Sequence, residues 1–269
     1  MRRMSFAGLA TLAVGVLGGV LVAAAAGKAI GTQHSTTGTQ HPAPVVIELF
    51  TSEGCSSCPP ADELLSTFAK EPTIAGVPVI PLGMHVTYWD QLGWRDPASL
   101  PVVTERQQAY GAVFGPDRVY TPQAVIDGTT EVIGSAEAGI RRAVADAARQ
   151  PHAEMTVKAS VNANTLTADV SLADLPVAQR DPLETVVFLT QDGLTSVVKR
   201  GENGGRTLHN DAVVRLVFGG AAGGAGMHSY RADLRPDWQR ERLHVIALLQ
   251  GKTSRRIYGA ATTVPEIRH

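Results

Sequence analysis

The 269-residue chain carries two cysteines, and both stand in one tetrapeptide, Cys55-Ser56-Ser57-Cys58. Two thiols are too few for a multi-disulfide scaffold or a four-thiolate zinc site, so whatever they do, they do as a pair. Three chemistries are open to such a pair. Thiol–disulfide exchange would use one sulfur as thiolate nucleophile and the other to resolve the mixed disulfide. A purely structural bridge is the second, although closing so short a loop removes little unfolded-state entropy. Soft Cu(I) held by both thiolates and His85 is the third. A CxxC without a second ligand pair argues poorly for that site, so no metal and no organic cofactor is assigned.

Exchange requires an element that stabilises a thiolate, and the flanking residues predict one. Val45-Val46-Ile47-Glu48-Leu49-Phe50 is a nearly continuous apolar run, the pattern of a strand buried on both faces of a parallel sheet. Thr51-Ser52-Glu53-Gly54 is a turn, and Leu64, Leu65 and Phe68 give residues 61–70 one helical face. Unpaired N–H groups and the helix dipole at such an N-terminus favour negative charge. Pro59 and Pro60 disfavour helical dihedrals before them, so regular helix is predicted only from near Pro60, with weaker help for Cys55. Cys55, on the exposed side of the turn, is the expected attacking thiol.

Downstream, residues 77–86 read as a second strand and residues 100–114 as a helix through Val103, Gln107 and Tyr110. Asp127-Gly128 between residues 124–127 and 130–133 is a hairpin signal. Ser135 is positioned to cap a last helix through Arg149.

Strand, CxxC, helix, strand, helix, proline, hairpin, helix is an order that resembles a thioredoxin fold, in which CxxC faces a cis-proline before the antiparallel hairpin. Tyr120-Thr121-Pro122-Gln123 is similar to that proline region. Together with the run from Glu48 through Cys55-Ser56-Ser57-Cys58-Pro59-Pro60-Ala61-Asp62, and with His85-Val86-Thr87-Tyr88-Trp89-Asp90, it resembles the DUF1223 family of secreted thioredoxin-like bacterial proteins. The similarity extends through Gly201-Glu202-Asn203-Gly204-Gly205-Arg206. It implies that Cys58 turns inward as the resolving thiol and that Pro122 packs beside the sulfurs. Thr121 would then offer its backbone to an extended substrate. Glu48 would be the acid that moves the resolving proton, although it lies one residue further from CxxC than such acids do. A buried, salt-bridged Glu48 is the other reading.

His85, Tyr88, Trp89, Asp90 and Trp94 follow the second strand, at the sheet edge where α/β proteins bind ligands. They read either as a substrate platform or, for Trp89 and Trp94, as a cover over the edge.

Beyond residue 150 the periodicity changes from helical to alternating. Residues 155–161 and 166–172 alternate around Asn162-Ala163-Asn164, and residues 184–190, 244–249 and 257–263 are further strands. A mainly antiparallel, sandwich-like domain over residues 153–269 is therefore expected after an α/β thioredoxin-like domain over residues 45–150. The glycine-rich loop at residues 201–206 lacks a P-loop's Lys-Ser/Thr and is expected to dock near CxxC.

Ahead of the folded part, Arg2-Arg3, an uncharged stretch and Ala24-Ala25-Ala26 read as an export signal over residues 1–26, with an uncleaved membrane anchor as the alternative. Residues 27–44 read as a flexible spacer. With 24 basic against 25 acidic residues there is no electrostatic footprint for nucleic acid. The sequence thus predicts an exported thiol–disulfide oxidoreductase-like protein acting on protein or small-molecule thiols, recycled by an unidentified redox partner. The competing expectation is a non-catalytic ligand- or partner-binding protein with a structural disulfide.

Overall fold

In the computed structural model, which describes residues 43–115, 117–173, 181–222 and 224–268, the apolar run becomes β1 (Val45–Thr51), buried along its whole length. It is followed by α1 (Pro59–Lys70), β2 (Thr73–Ile74), β3 (Val77–His85), α2 (Pro101–Phe114), β4 (Gln123–Ile126), β5 (Thr130–Ile133) and α3 (Glu137–Ala147). Then come β6 (Met155–Asn162), β7 (Thr165–Leu172), β8 (Leu183–Gln191), β9 (Leu194–Val197), β10 (Thr207–Asn210), β11 (Val213–Ala222), β12 (Gly226–Asp233), β13 (Leu243–Gly251), β14 (Ile257–Thr263) and β15 (Glu266–Arg268). The expected leader at residues 1–26 and most of the spacer at 27–44 lie outside the described residues. Among the described residues no helix is long and apolar enough to cross a membrane.

The central sheet runs β14-β13-β8-β11-β3-β1-β4-β5, with β2 paired to β3. β1 and β3 are parallel, with Glu48 opposite Leu82, and β4 is antiparallel to β1, with Leu49 opposite Ala124. On the far edge of β3, Val213 of β11 pairs with Gly83, whose N–H donates to the Ala212 carbonyl at 2.8 Å. The boundary expected near residues 150–153 is therefore not a break between two sheets. An unpaired β3 edge is a row of unsatisfied backbone groups, and strands from the second half of the chain cover it. The sandwich part is built on this extension: β12-β7-β6-β15 forms a second sheet. Val161, Leu166 and Val170 of that sheet share a core with Val187, Leu189, Val245 and Ala247 of the extension.

Alternation along β1 distributes its side chains between two further cores. Val45, Ile47 and Leu49 pack with Leu65 and Phe68 of α1 and with Ile140 and Val144 of α3. Val46 and Phe50 point the other way, toward Val103 and Tyr110 of α2. The β4–β5 hairpin turns on Asp127 and Gly128, both with left-handed φ (44° and 67°), as the Asp-Gly pair predicts. Ser135 is not a cap: Ala136 occupies the N-cap of α3 and no side chain bonds there, so the helix starts one residue later than that reading requires.

Candidate functional site

Cys55 and Cys58 form a disulfide with Cα atoms 5.4 Å apart. Cys55 N–H donates to the Ser52 carbonyl at 3.1 Å and Cys58 N–H to the Cys55 carbonyl at 3.2 Å, which winds the segment into the turn that leads into α1. Cys58 is the N-cap, in right-handed helical conformation (φ −81°, ψ −36°), and its carbonyl accepts from the N–H groups of Ala61 and Asp62. Regular helix starts at Pro59, one residue from the expected start near Pro60, and Cys58 is already helical despite the proline after it. Pro59 and Pro60 occupy its first two positions, where a missing N–H costs nothing because those donors have no intrahelical partner.

Cys55 was expected on an exposed turn, but both cysteines are 0% exposed and Ser56 and Ser57 form the exposed tip instead. The loop between β9 and β10 is fastened to the backbone of this turn. Asn203, itself fully buried, donates from Nδ2 to the carbonyls of Glu53 and Cys55 at 2.9 Å each. Glu202 Oε2 accepts from the Ser56 N–H at 2.9 Å, and Arg206 holds Asn203 Oδ1 at 2.9 Å. Gly201 and Gly205, at φ 77° and 86°, supply left-handed turns that L side chains rarely adopt.

The Thr121–Pro122 peptide is cis. Since Gln123 pairs with Phe50, this bond falls beside the end of β1, where the chain leaves for CxxC. Trp89 ties the two regions together: its Nε1 donates to Thr121 Oγ1 at 2.8 Å, and a Cβ placed on Gly54 would meet its Cβ at 3.2 Å. Trp94 lies against Gly201 of the β9–β10 loop and donates from Nε1 to Glu53 Oε2 at 2.8 Å. Tyr88 is exposed, at 40%, and Leu92 of the same loop more so, at 61%. Asp90 serves the loop itself, accepting from Ser99 Oγ at 2.8 Å and from the Asp96 N–H at 3.2 Å.

Glu48 lies on the other side of the sheet from α1. Its carboxylate is fully buried and paired with Arg106, at 2.5 Å from Nε and 3.0 Å from the terminal nitrogen, and it also accepts from the Tyr110 hydroxyl. Gln250 completes this group, accepting from Arg106 at 2.8 Å. One step along a strand reverses the side chain, and by that parity Glu48 joins the α2 side with Val46 and Phe50. The salt-bridged reading of Glu48 holds, and a carboxylate held this way on the far face is not placed to serve Cys58.

The acids near CxxC are ones that sequence reasoning missed as functional. Asp62 lies four residues after Cys58 on α1, so both face the same side of the helix. Burial raises the Asp62 carboxyl to about 7, against the lowering effect of the His85 charge and the Thr51 hydroxyl. His85 Nδ1 and Asp96 Oδ2 are 2.7 Å apart in a buried pair. Burial alone would lower the His85 pKa, but the Asp96 carboxylate overrides it and raises it to about 9. Asp96 in turn is held below its usual range by His85 despite its burial, and it accepts from the Glu53 and Ala98 N–H groups at 2.8 Å. Burial, and then the nearby Asp96, push Glu53 up. Helical spacing from Cys58 could have singled out Asp62; nothing in sequence spacing announces the His85–Asp96 pair. Among the described residues no three His, Cys, Asp or Glu side chains converge as a metal-holding group.

Residues 46–250 match the family described as "Protein of unknown function (DUF1223)", and the chain belongs to that family. The crystal structure of a protein from Agrobacterium tumefaciens is similar over 86% of this chain and 99% of its own, at 26% identity and a TM-score of 0.62. HBP35 of Porphyromonas gingivalis shares the fold over 83% of this chain and 76% of its own, at 17% identity and a TM-score of 0.62. No protein with a curated description matches.

Proposed function

We propose that this protein is an exported thiol–disulfide oxidoreductase on a thioredoxin-like scaffold, with Cys55 and Cys58 as its exchanging pair. The observation that carries this reading is a two-residue disulfide loop at the N-terminus of α1, beside a cis-proline bond. A thiolate from a protein or small-molecule substrate attacks Cys55 Sγ. The substrate S–S bond forms as the Cys55–Cys58 bond breaks, and the electron pair leaves on Cys58. Asp62, neutral in part near pH 7, supplies the proton that the departing Cys58 thiolate takes up. A second substrate thiolate then releases Cys55 and completes a two-electron transfer to the protein, which a separate partner re-oxidises.

Replacing Cys58 with Ser traps a mixed disulfide on Cys55, visible as a mass adduct after incubation with a disulfide substrate, because the Cys55 thiolate breaks the substrate S–S bond, one substrate sulfur leaves as thiolate and no second cysteine resolves the bond that forms, whereas Cys55→Ser forms none. Equal and full activity in both variants sinks the assignment.

A second reading, a binding protein with a structural disulfide, draws support from the complete burial of both cysteines and from the bonds that tie the 201–206 loop to their turn. The two readings part on one behaviour. An exchanging pair is reduced by dithiothreitol in the folded protein, through opening of that loop, whereas a structural bridge is reduced only when the chain unfolds.

A further inference from the structure

A cavity of about 180 Å³ lies behind the CxxC turn, between the end of β3 and the β9–β11 strands. Three hydrogen-bond donors from three different strands border it, none with a hydrogen-bond or ion-pair partner facing the cavity among the described residues. His85, 2% exposed, spends Nδ1 on Asp96, and its Nε2 has no hydrogen-bond partner among the described residues. Asn210, 5% exposed, lines the same space, and its side-chain amide makes no hydrogen bond among the described residues. Arg215 completes the set: its guanidinium stacks over Trp238, 5.3 Å from the ring centroid, and forms no ion pair among the described residues. The one carboxyl on the wall, Glu53, is already engaged by Trp94.

These donors border the cavity, the His85 and Asn210 side chains buried and Arg215 half-buried, and donors that converge on one space suit an acceptor that brings negative charge. A guanidinium presents a planar fork that matches the two oxygens of a carboxylate. We propose that this cavity is a binding site for small carboxylate anions, held by the Arg215 guanidinium, the Asn210 amide and the Nε2–H of His85. A cavity of this size suits a free acid of a few heavy atoms.

The test is isothermal titration of the oxidised full chain with sodium acetate at neutral pH, against sodium chloride at equal ionic strength. No thiol is present, so the outcome is independent of redox activity. The expected result is saturable one-to-one binding of acetate that weakens about tenfold or more in Arg215→Gln, with Arg215→Lys intermediate. Asn210→Ala, expected to weaken binding severalfold, serves if Arg215→Gln does not fold. Peptides ending in a free carboxylate or an amide run in parallel. Binding of the acid peptide without binding of acetate would overturn the free-acid assignment. Equal binding of sulfate would overturn the carboxylate preference, and no saturable binding would overturn the site.

Discussion

Asn203 donates to the carbonyls of Glu53 and Cys55, 150 and 148 residues earlier in the chain, so one amide group fastens a distant loop to the turn that carries the disulfide. Its other end is held by Arg206, so both amide hydrogens and the carbonyl oxygen of the Asn203 side chain are occupied. The relationship makes the 201–206 loop a determinant of access to Cys55 and not merely a connection between β9 and β10.

Asn203→Ala should therefore act on both stability and access. It strips the Glu53 carbonyl of its partner and removes one of the two bonds to the Cys55 carbonyl, which keeps the Cys58 N–H, a loss on the order of 1–3 kcal/mol. Denaturant unfolding measures that loss. Reduction of Cys55–Cys58 by dithiothreitol in the folded protein, followed by alkylation and mass, should accelerate at the same time. An unchanged reduction rate would mean that the loop does not control the disulfide.

Arg106→Met should be strongly destabilising, by about 3–5 kcal/mol, because it leaves the buried Glu48 carboxylate unpaired. Glu48→Gln together with Arg106→Met should recover much of that loss. Neither change should move the disulfide's reduction potential by more than experimental scatter, since Glu48 faces α2 and CxxC sits on α1. A large change in potential on Glu48→Gln would restore Glu48 to the redox site.

His85 carries the pH dependence. Its pKa rises from 6.5 in the unfolded chain to about 9 when folded, so the native state binds more protons between those values. The stabilisation is complete below 6.5 and is lost as pH rises through 9, a decline on the order of 3 kcal/mol. Unfolding free energies measured from pH 6 to pH 10 should fall accordingly, and Asp96→Asn should flatten the slope.

Asp62 contributes in the same direction over a lower range. Its carboxyl moves from 3.8 to about 7 on folding, so charging it in the buried site costs stability as pH rises through that interval. Asp62→Asn should be more stable than the parent at pH 8, with the difference shrinking toward pH 4. If Asp62 also hands its proton to Cys58, the variant should lose the inflection near pH 7 in the rate of disulfide reduction. A merely structural Asp62 would alter the stability and leave that profile in place.

Much of this architecture is legible in the sequence because it follows from local patterns. The β1 run, the alternation of β6 and β7 and the Asp127-Gly128 turn each announce themselves within a few residues. β11 does not: Gly219 and Gly220 break its pattern, yet its pairing with β3 is what joins the two halves into one sheet. Cys55 and Cys58 are read directly from their spacing, whereas their burial depends on Asn203, and no local rule connects residues so far apart. Glu48 illustrates the limit from the other side. An acid on the first strand is visible at once, but its face is set by strand parity, and one position decides between CxxC and Arg106.

The most direct test of the central claim is an equilibrium redox titration of the folded protein in glutathione buffers, with the thiol state fixed by alkylation and read by mass. An exchanging Cys55–Cys58 pair predicts a midpoint between about −120 and −270 mV. A bridge still intact well below about −300 mV would contradict the account and leave the disulfide a structural clasp.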